Sequence, residues 1–230
     1  MKRLLLIVSI ISLNFTFGQS GISGGLGKFF KNSSVTIGMN QSFYGKDYNE
    51  IFDDVEDSGR DVVRDSFRKL NFTLMNEFDH GVLGGVKYLS YGDNHEFTYS
   101  DNYEYDDYEG TLELKFLKLF LTYPVSKGFY LGVEGGYFIE GEVIYKSGNN
   151  KNTNEIDREM WTDEDFSEFD YGLLGQFYYN INENILATIE GYYGLSKFSE
   201  DNNELITGIP NVFHYINLGV TYKFGKKVIK

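Results

Sequence analysis

Three histidines, His80, His95 and His214, are the chain's only imidazoles. His214 follows Ser196, Ser199, Glu200 and Asp201, the residue types of a nucleophile, its base and an orienting acid. Such a set would cleave or transfer an acyl group, provided that the base lies within about 3 Å of its nucleophile. Sequence separation does not supply that distance, and no Gly-x-Ser-x-Gly element is present. A lone histidine near a strand end serves more often as an amphipathic interface residue. His80 and His95 have no second histidine at ligand spacing, so transition-metal binding is unsupported. The run from Gly21 to Lys28 superficially resembles a phosphate loop. It has one residue too many between its outer glycines, and Phe29 stands where Ser or Thr is needed.

Acidic side chains offer a second chemistry. Asp54, Glu56, Ser58, Gly59 and Asp65 stand at positions 1, 3, 5, 6 and 12 of an EF-hand-like calcium loop. No flanking helices are legible, and the final ligand is Asp where Glu is usual. Segments 45–64, 93–110 and 142–167 are all strongly acidic. The second interleaves its acids with Tyr99, Tyr103, Tyr105 and Tyr108, and the third surrounds Trp161. The plain reading is a solvated, self-repelling covering. The functional reading is a recognition surface, because tyrosine gives contact area with few rotamers. A third reading lets divalent cations link these carboxylates to lipopolysaccharide phosphates, since hard cations take oxygen ligands.

The composition narrows the classes. Of 230 residues, 21 are Lys or Arg and 34 are Asp or Glu, for a formal charge of −13. That balance argues against nucleic acid as a partner, which needs a basic surface. The absence of cysteine excludes disulfides, Cys-ligated metals, a thiol nucleophile and a lipidated N-terminal Cys. Met1-Lys2-Arg3 followed by the apolar run Leu4 to Phe17 reads as a signal peptide, with cleavage between Gly18 and Gln19. Residues 19–32 then read as a flexible lead-in. No later stretch has the length and apolarity of a spanning helix.

Beyond residue 32 apolar residues recur at every second position, the period of strands. Eight such segments are legible, starting near Val35, Leu70, Val82, Leu112, Phe129, Phe169, Ile185 and Val212. The third is nearly apolar on both faces, which leaves its orientation open. In the fourth the parity changes at Phe116-Leu117, the sign of a β-bulge or of a stretch that is apolar on both sides. Connections at 79–81, 124–128 and 181–184 are short, while those near 45–64, 93–110, 142–167 and 197–211 are long. Strict alternation of short and long connections places every long loop at one end of an antiparallel meander. An even strand count with first-to-last closure gives an all-β, eight-stranded antiparallel up-and-down barrel.

Three features turn the apolar face outward, as in a transmembrane barrel. The other faces carry Lys69, Lys87, Lys118 and Lys223 against Glu77, Glu134, Glu140 and Glu190, charges able to pair inside a narrow lumen. Tyr and Phe gather at strand ends, where interfacial girdles lie. The segment lengths suit tilted strands crossing ~30 Å of hydrocarbon. The last segment, Phe213 to Phe224, resembles the C-terminal strand of outer-membrane β-barrel proteins, in which an alternating strand ending in an aromatic is the assembly signal. Tyr222 and Phe224 occupy those positions here. Phe169 to Gly175 is similar to a recurrent strand of the small eight-stranded group with OmpX-like and OmpA-barrel members.

The resemblance implies an outer-membrane location, short periplasmic turns and four long extracellular loops. It also implies contacts with outer-membrane lipid, lipopolysaccharide and the barrel-assembly machinery, and no resident cofactor. The barrel spans residues 33–224, with 225–230 as a short tail beyond the point where many members stop. Two roles are compatible with this reading. One is a surface binding or envelope-integrity protein whose extracellular partner the sequence does not name. The other is a lipid-modifying enzyme at the outer rim, with His214 as its base. A narrow pore or an accessory part of a secretion machine is a further reading, although an eight-stranded lumen is just wide enough for side chains to fill it.

Overall fold

A computed structural model describes residues 32–44, 61–65, 68–101, 104–147, 150–156, 169–197 and 212–224. Ten strands run β1 Ser33–Tyr44, β2 Asp61–Asp65, β3 Arg68–Glu77, β4 Leu83–Asp101, β5 Glu104–Ser126, β6 Phe129–Ser147, β7 Asn150–Ile156, β8 Phe169–Asn180, β9 Ile185–Gly194 and β10 Phe213–Lys223. Both β2 and β3 pair with β4, and both β7 and β8 pair with β6. The ten strands therefore fill eight positions. Each joins its neighbours antiparallel, and β1 pairs with β10 from Ser34↔Lys223 to Tyr44↔Phe213. The barrel is closed.

The short turns stand where the sequence places them. Asp79–Gly81 form a single 3-10 turn in which His80 and Gly81 take positive φ angles of 63° and 77°. At the next turn Gly128 has φ 74°, a conformation that glycine adopts without steric cost. In the third, the Asn182 side-chain oxygen accepts hydrogen bonds from the backbone N–H groups of Asn184 (2.9 Å) and Ile185 (2.8 Å). This is the local closure that makes asparagine a turn residue.

The apolar face points outward. Leu70, Phe72 and Leu74 on β3, Leu117, Leu119 and Leu121 on β5, and Ile216, Leu218 and Val220 on β10 are all exposed. On the same strands Asn71, Thr73, Lys118, Thr122, Asn217 and Thr221 are buried in the lumen. Strand β4, open in the sequence, turns Leu83, Lys87, Leu89 and Tyr91 inward. Only a lipid surround suits a belt of this kind, and closure satisfies every backbone group that crosses it.

The parity change in the fourth segment resolves to its second alternative, and two expectations are corrected, a lumenal Glu140 and simple loops above the barrel. Strand β5 keeps one parity throughout: Leu112, Leu114 and Phe116 are buried together with Lys118, Phe120 and Thr122. Its apolar stretch is thus two-faced, and the bulge lies on its partner, where Lys115 pairs with Glu140 and Phe116 with Phe138. The extra residue is Ile139, and it reverses the parity beyond it, so Glu140 stands outside the lumen, where it meets Lys115 at 3.0 Å. Secondly, segments 93–110 and 142–167 are not simply loops. The β4–β5 ladder continues without a break from Leu83↔Thr122 to Asp101↔Glu104, and β6 continues to Ser147 before folding back as β7. Even the 45–64 segment contributes β2, paired through Asp61↔Thr98 to Asp65↔Asn94. Among the described residues the wall is therefore tall over β2, β4, β5, β6 and β7, and lower over β8, β9, β10 and β1.

Candidate functional site

The chemistry-bearing side chains that the fold brings together lie in the middle of the lumen. Lys87 and Lys118 are direct cross-strand partners on β4 and β5, both with 0% exposure. Like charges so placed repel, and three carboxylates, on β6, β8 and β9, offset them. Lys87 Nζ lies 2.6 Å from Glu134 and 3.0 Å from Glu190. Lys118 Nζ lies 3.3 Å from Glu134 and also pairs with Asp170. It sits 3.8 Å from the centre of the Tyr192 ring, a cation–π contact.

Tyrosines and amides complete the network. Lys87 donates to Tyr215 Oη at 2.6 Å, and Tyr215 in turn donates to Glu134 at 2.9 Å. Asp170 accepts hydrogen bonds from Tyr91 (2.9 Å), Tyr192 (2.8 Å) and Ser196 (2.8 Å). Glu190 accepts from Gln176 and Asn217, each at 2.7 Å. Asn217 accepts from Asn71 at 2.8 Å across the intervening β1. Gly38 makes that crossing feasible, because a Cβ there would collide with the Asn217 amide. Gly136 gives the same clearance to Lys118 from the neighbouring strand.

Apolar packing closes the network on both sides. Toward the long-loop end Leu89, Leu112, Leu114, Phe116, Phe138 and Phe213 are buried, with Tyr91 stacked on Phe213 at 4.6 Å. Toward the short turns Met75, Leu83, Phe120, Tyr130, Tyr178 and Leu186 are buried. Side chains fill the lumen, as expected for eight strands.

Of the candidate hydrolytic residues, His214 and Ser196 are described, and each bonds to other groups. His214 stacks on Tyr193 at 4.5 Å, and its Nδ1 accepts from the Gly194 N–H at 3.1 Å. Ser196 is buried and bonds to Asp170 and to the Tyr171 N–H at 2.9 Å. Ser199, Glu200 and Asp201 lie outside the described residues, as do Asp54, Glu56, Ser58, Gly59, Tyr103 and Trp161. Asp65 ends β2 opposite Asn94, while Tyr99, Tyr105 and Tyr108 are backbone members of the β4–β5 ladder, opposite Asp106, Ser100 and Phe97. Tyr222 and Phe224 meet edge to face with centroids 5.5 Å apart, outside the barrel. Among the described residues no group of three or more His, Cys, Asp or Glu is arranged to hold a metal.

Sequence reasoning found the lumenal lysines and glutamates but not Tyr91, Tyr192 or Tyr215. Their parity on the inner face was the available signal.

No protein-family profile and no curated protein matches this chain. Among solved structures it is similar to Ail, the attachment invasion locus protein of Yersinia pestis, at 14% identity over 84% of this chain and 97% of that one, TM-score 0.42. Neisserial surface protein A is 8% identical over 83% of this chain and 96% of that one, TM-score 0.41. The outer membrane protein OprG of Pseudomonas aeruginosa is 12% identical over 86% and 97%, TM-score 0.35. All are small outer-membrane barrels; this chain's own strand ladder and outward apolar belt establish a closed barrel with a lipid-facing surface independently. The chain is a closed, eight-stranded antiparallel β-barrel with an outward apolar belt, the fold of the small outer-membrane barrels.

Proposed function

We propose that this barrel is a surface-recognition or envelope-integrity protein, whose tall wall presents acidic, Tyr-rich strands to an extracellular partner or to the cell's own lipopolysaccharide. The unbroken β4–β5 ladder carries this reading. It makes Tyr99, Tyr105 and Tyr108 part of a sheet continuous with the barrel, and a preformed surface costs a partner less ordering entropy than a free loop would. Tyrosine supplies area at that surface. Carboxylates beside it suit divalent cations bridging to phosphates, with no resident cofactor required. The terminal alternation through Tyr222 and Phe224 fits delivery by barrel-assembly machinery, after cleavage of the leader between Gly18 and Gln19.

Deleting residues 93–110 tests the reading. The expected result is reduced surface attachment or increased sensitivity of the envelope to EDTA. Both properties unchanged, with the barrel still inserted, would overturn it. The lipid-modifying alternative has less support, because the two described members of its candidate set, His214 and Ser196, bond to other groups. His214→Ala is expected to leave lipid A composition unchanged. A loss of deacylated or transferred species in that variant would reinstate the enzyme.

A further inference from the structure

The ladder between β3 and β4 is interrupted near the long-loop end of the apolar belt. Pairing runs from Glu77↔Leu83 to Phe72↔Tyr88 and resumes only on β2, at Asp65↔Asn94. Among the described residues, Leu89 to Asp93 have no cross-strand partner on β3, whereas β3 stays paired to β1 as far as Gln41↔Arg68. Side chains of β1 bridge the gap instead. Asn40 Nδ2 donates to Ser90 O at 2.6 Å, and Ser42 Oγ accepts from the Gly92 N–H at 3.3 Å. Lys69, the cross-strand partner of Asn40, has a side chain 44% exposed and pairs with Glu113 at 2.9 Å. Charges of this kind lie where lipid gives way to water, so the seam opens on solvent.

A second observation is independent of the register. Asn40 Oδ1, Asn71 Oδ1 and Thr73 Oγ1 are buried without a hydrogen-bond partner, and each residue is 1% exposed. Nitrogen–oxygen exchange of the amides does not remove the need, since Asn40 Nδ2 already donates to Ser90 O and Asn71 Nδ2 to Asn217. The three stand in file. Asn40 is opposite Lys69 on the β1–β3 ladder, and Asn71 and Thr73 follow at two-residue steps along β3. Thr73 is in turn the cross-strand partner of Lys87, whose ammonium belongs to the charged network. A two-residue step covers roughly 7 Å of strand, so each oxygen calls for a donor of its own.

We propose that water enters the barrel wall sideways at this seam and occupies three separate sites, donating to Asn40 Oδ1, Asn71 Oδ1 and Thr73 Oγ1. Buried water sits where polar groups lack protein partners. Apolar clusters close the lumen along its axis on both sides of the charged network. The seam is therefore the route by which the surroundings of Lys87 are hydrated and exchange protons with the outside. It is a lateral vestibule that ends at Lys87, not a pore.

The test uses the whole barrel refolded in neutral detergent, examined in high-resolution crystals and through water–protein NMR cross-peaks. The expected result is one ordered water within hydrogen-bond distance of each of the three oxygens. Water cross-peaks should appear at Asn40, Asn71 and Thr73 and be absent at the similarly buried Thr188, whose hydroxyl is bonded to Thr221. Thr73→Val should lower the unfolding midpoint by roughly 2–4 °C, the loss of one hydrogen bond in a chain of this size. A dry Thr73 gives the opposite sign, because the substitution then removes an unsatisfied hydroxyl. A raised midpoint, or no water at any of the three oxygens, would overturn the proposal. Water beside Thr73 with none beside Asn40 would overturn the lateral route and place entry at the short-turn mouth. If Thr73→Val does not fold, the density and cross-peaks of the unmodified protein decide alone.

Discussion

Lys118 and Leu119 are chain neighbours on β5, yet one is 0% exposed and the other 64%. The lysine is inside and the leucine outside, the reverse of a water-soluble domain. The difference teaches that burial and polarity are separate variables in this fold. Outside, lipid makes apolar exposure favourable and each residue acts nearly alone. Inside, polar groups survive burial only through mutual satisfaction, so Lys118, Asp170, Glu134, Tyr91 and Tyr192 act as a unit. Substitutions on the two faces should therefore fail in different ways.

The lumen should break hardest. Lys118→Ala leaves Asp170 and Glu134 short of a partner and is expected to cost about 3–5 kcal/mol, the scale for breaking a buried ion pair. A urea titration of the heat-modifiable band in detergent would measure it. One residue along, Leu119→Arg puts a charge into the belt, with an expected cost of roughly 2–4 kcal/mol if that site lies at the midplane. Its loss should shrink as the same substitution is moved toward Tyr123, whereas no such depth dependence applies to Lys118. Lys115→Ala sharpens the contrast from the other side. Its partner Glu140 has a side chain 53% exposed, and removing the pair should change the unfolding free energy by no more than about 0.5 kcal/mol. A large effect there would show that the outer rim is cooperative as well.

The same contrast explains what was legible in the sequence. Belt positions such as Leu70, Phe72 and Leu74 alternate with Asn71 and Thr73, so the strands and their faces could be read directly. The turns at Asp79–Gly81 and Asn182 announced themselves through their residue types. The bulge did not, because Tyr137, Phe138 and Ile139 are all apolar and give no sign of which is extra. The upper ladder from Asp93 to Asp101 was hidden for another reason. Above the lipid a strand has no apolar face to display, and its acids read as loop. The lumenal network was half legible: parity gave Lys87, Lys118, Glu134 and Glu190. No local pattern says that Asp170 of β8 would accept from Tyr91 of β4 and Tyr192 of β9.

Closure by the first and last strands has a consequence for the order of events in folding. Thr36 and Thr221 share a 2.6 Å hydroxyl contact across 185 residues of chain, and Tyr215 and Asn217 reach Lys87 and Glu190 from that same final strand. The charged layer is therefore incomplete until β10 arrives. Contacts this distant in sequence are slow to form, because the loop entropy is lost before the contacts compensate for it. Throughout that delay the nascent wall has an open edge, and Lys87 and Glu190 lack their hydrogen bonds to Tyr215 and Asn217. Synthesis order thus leaves the decisive strand until last, and the barrel's lifetime as an unfinished sheet is set by when Phe213–Lys223 finds β1.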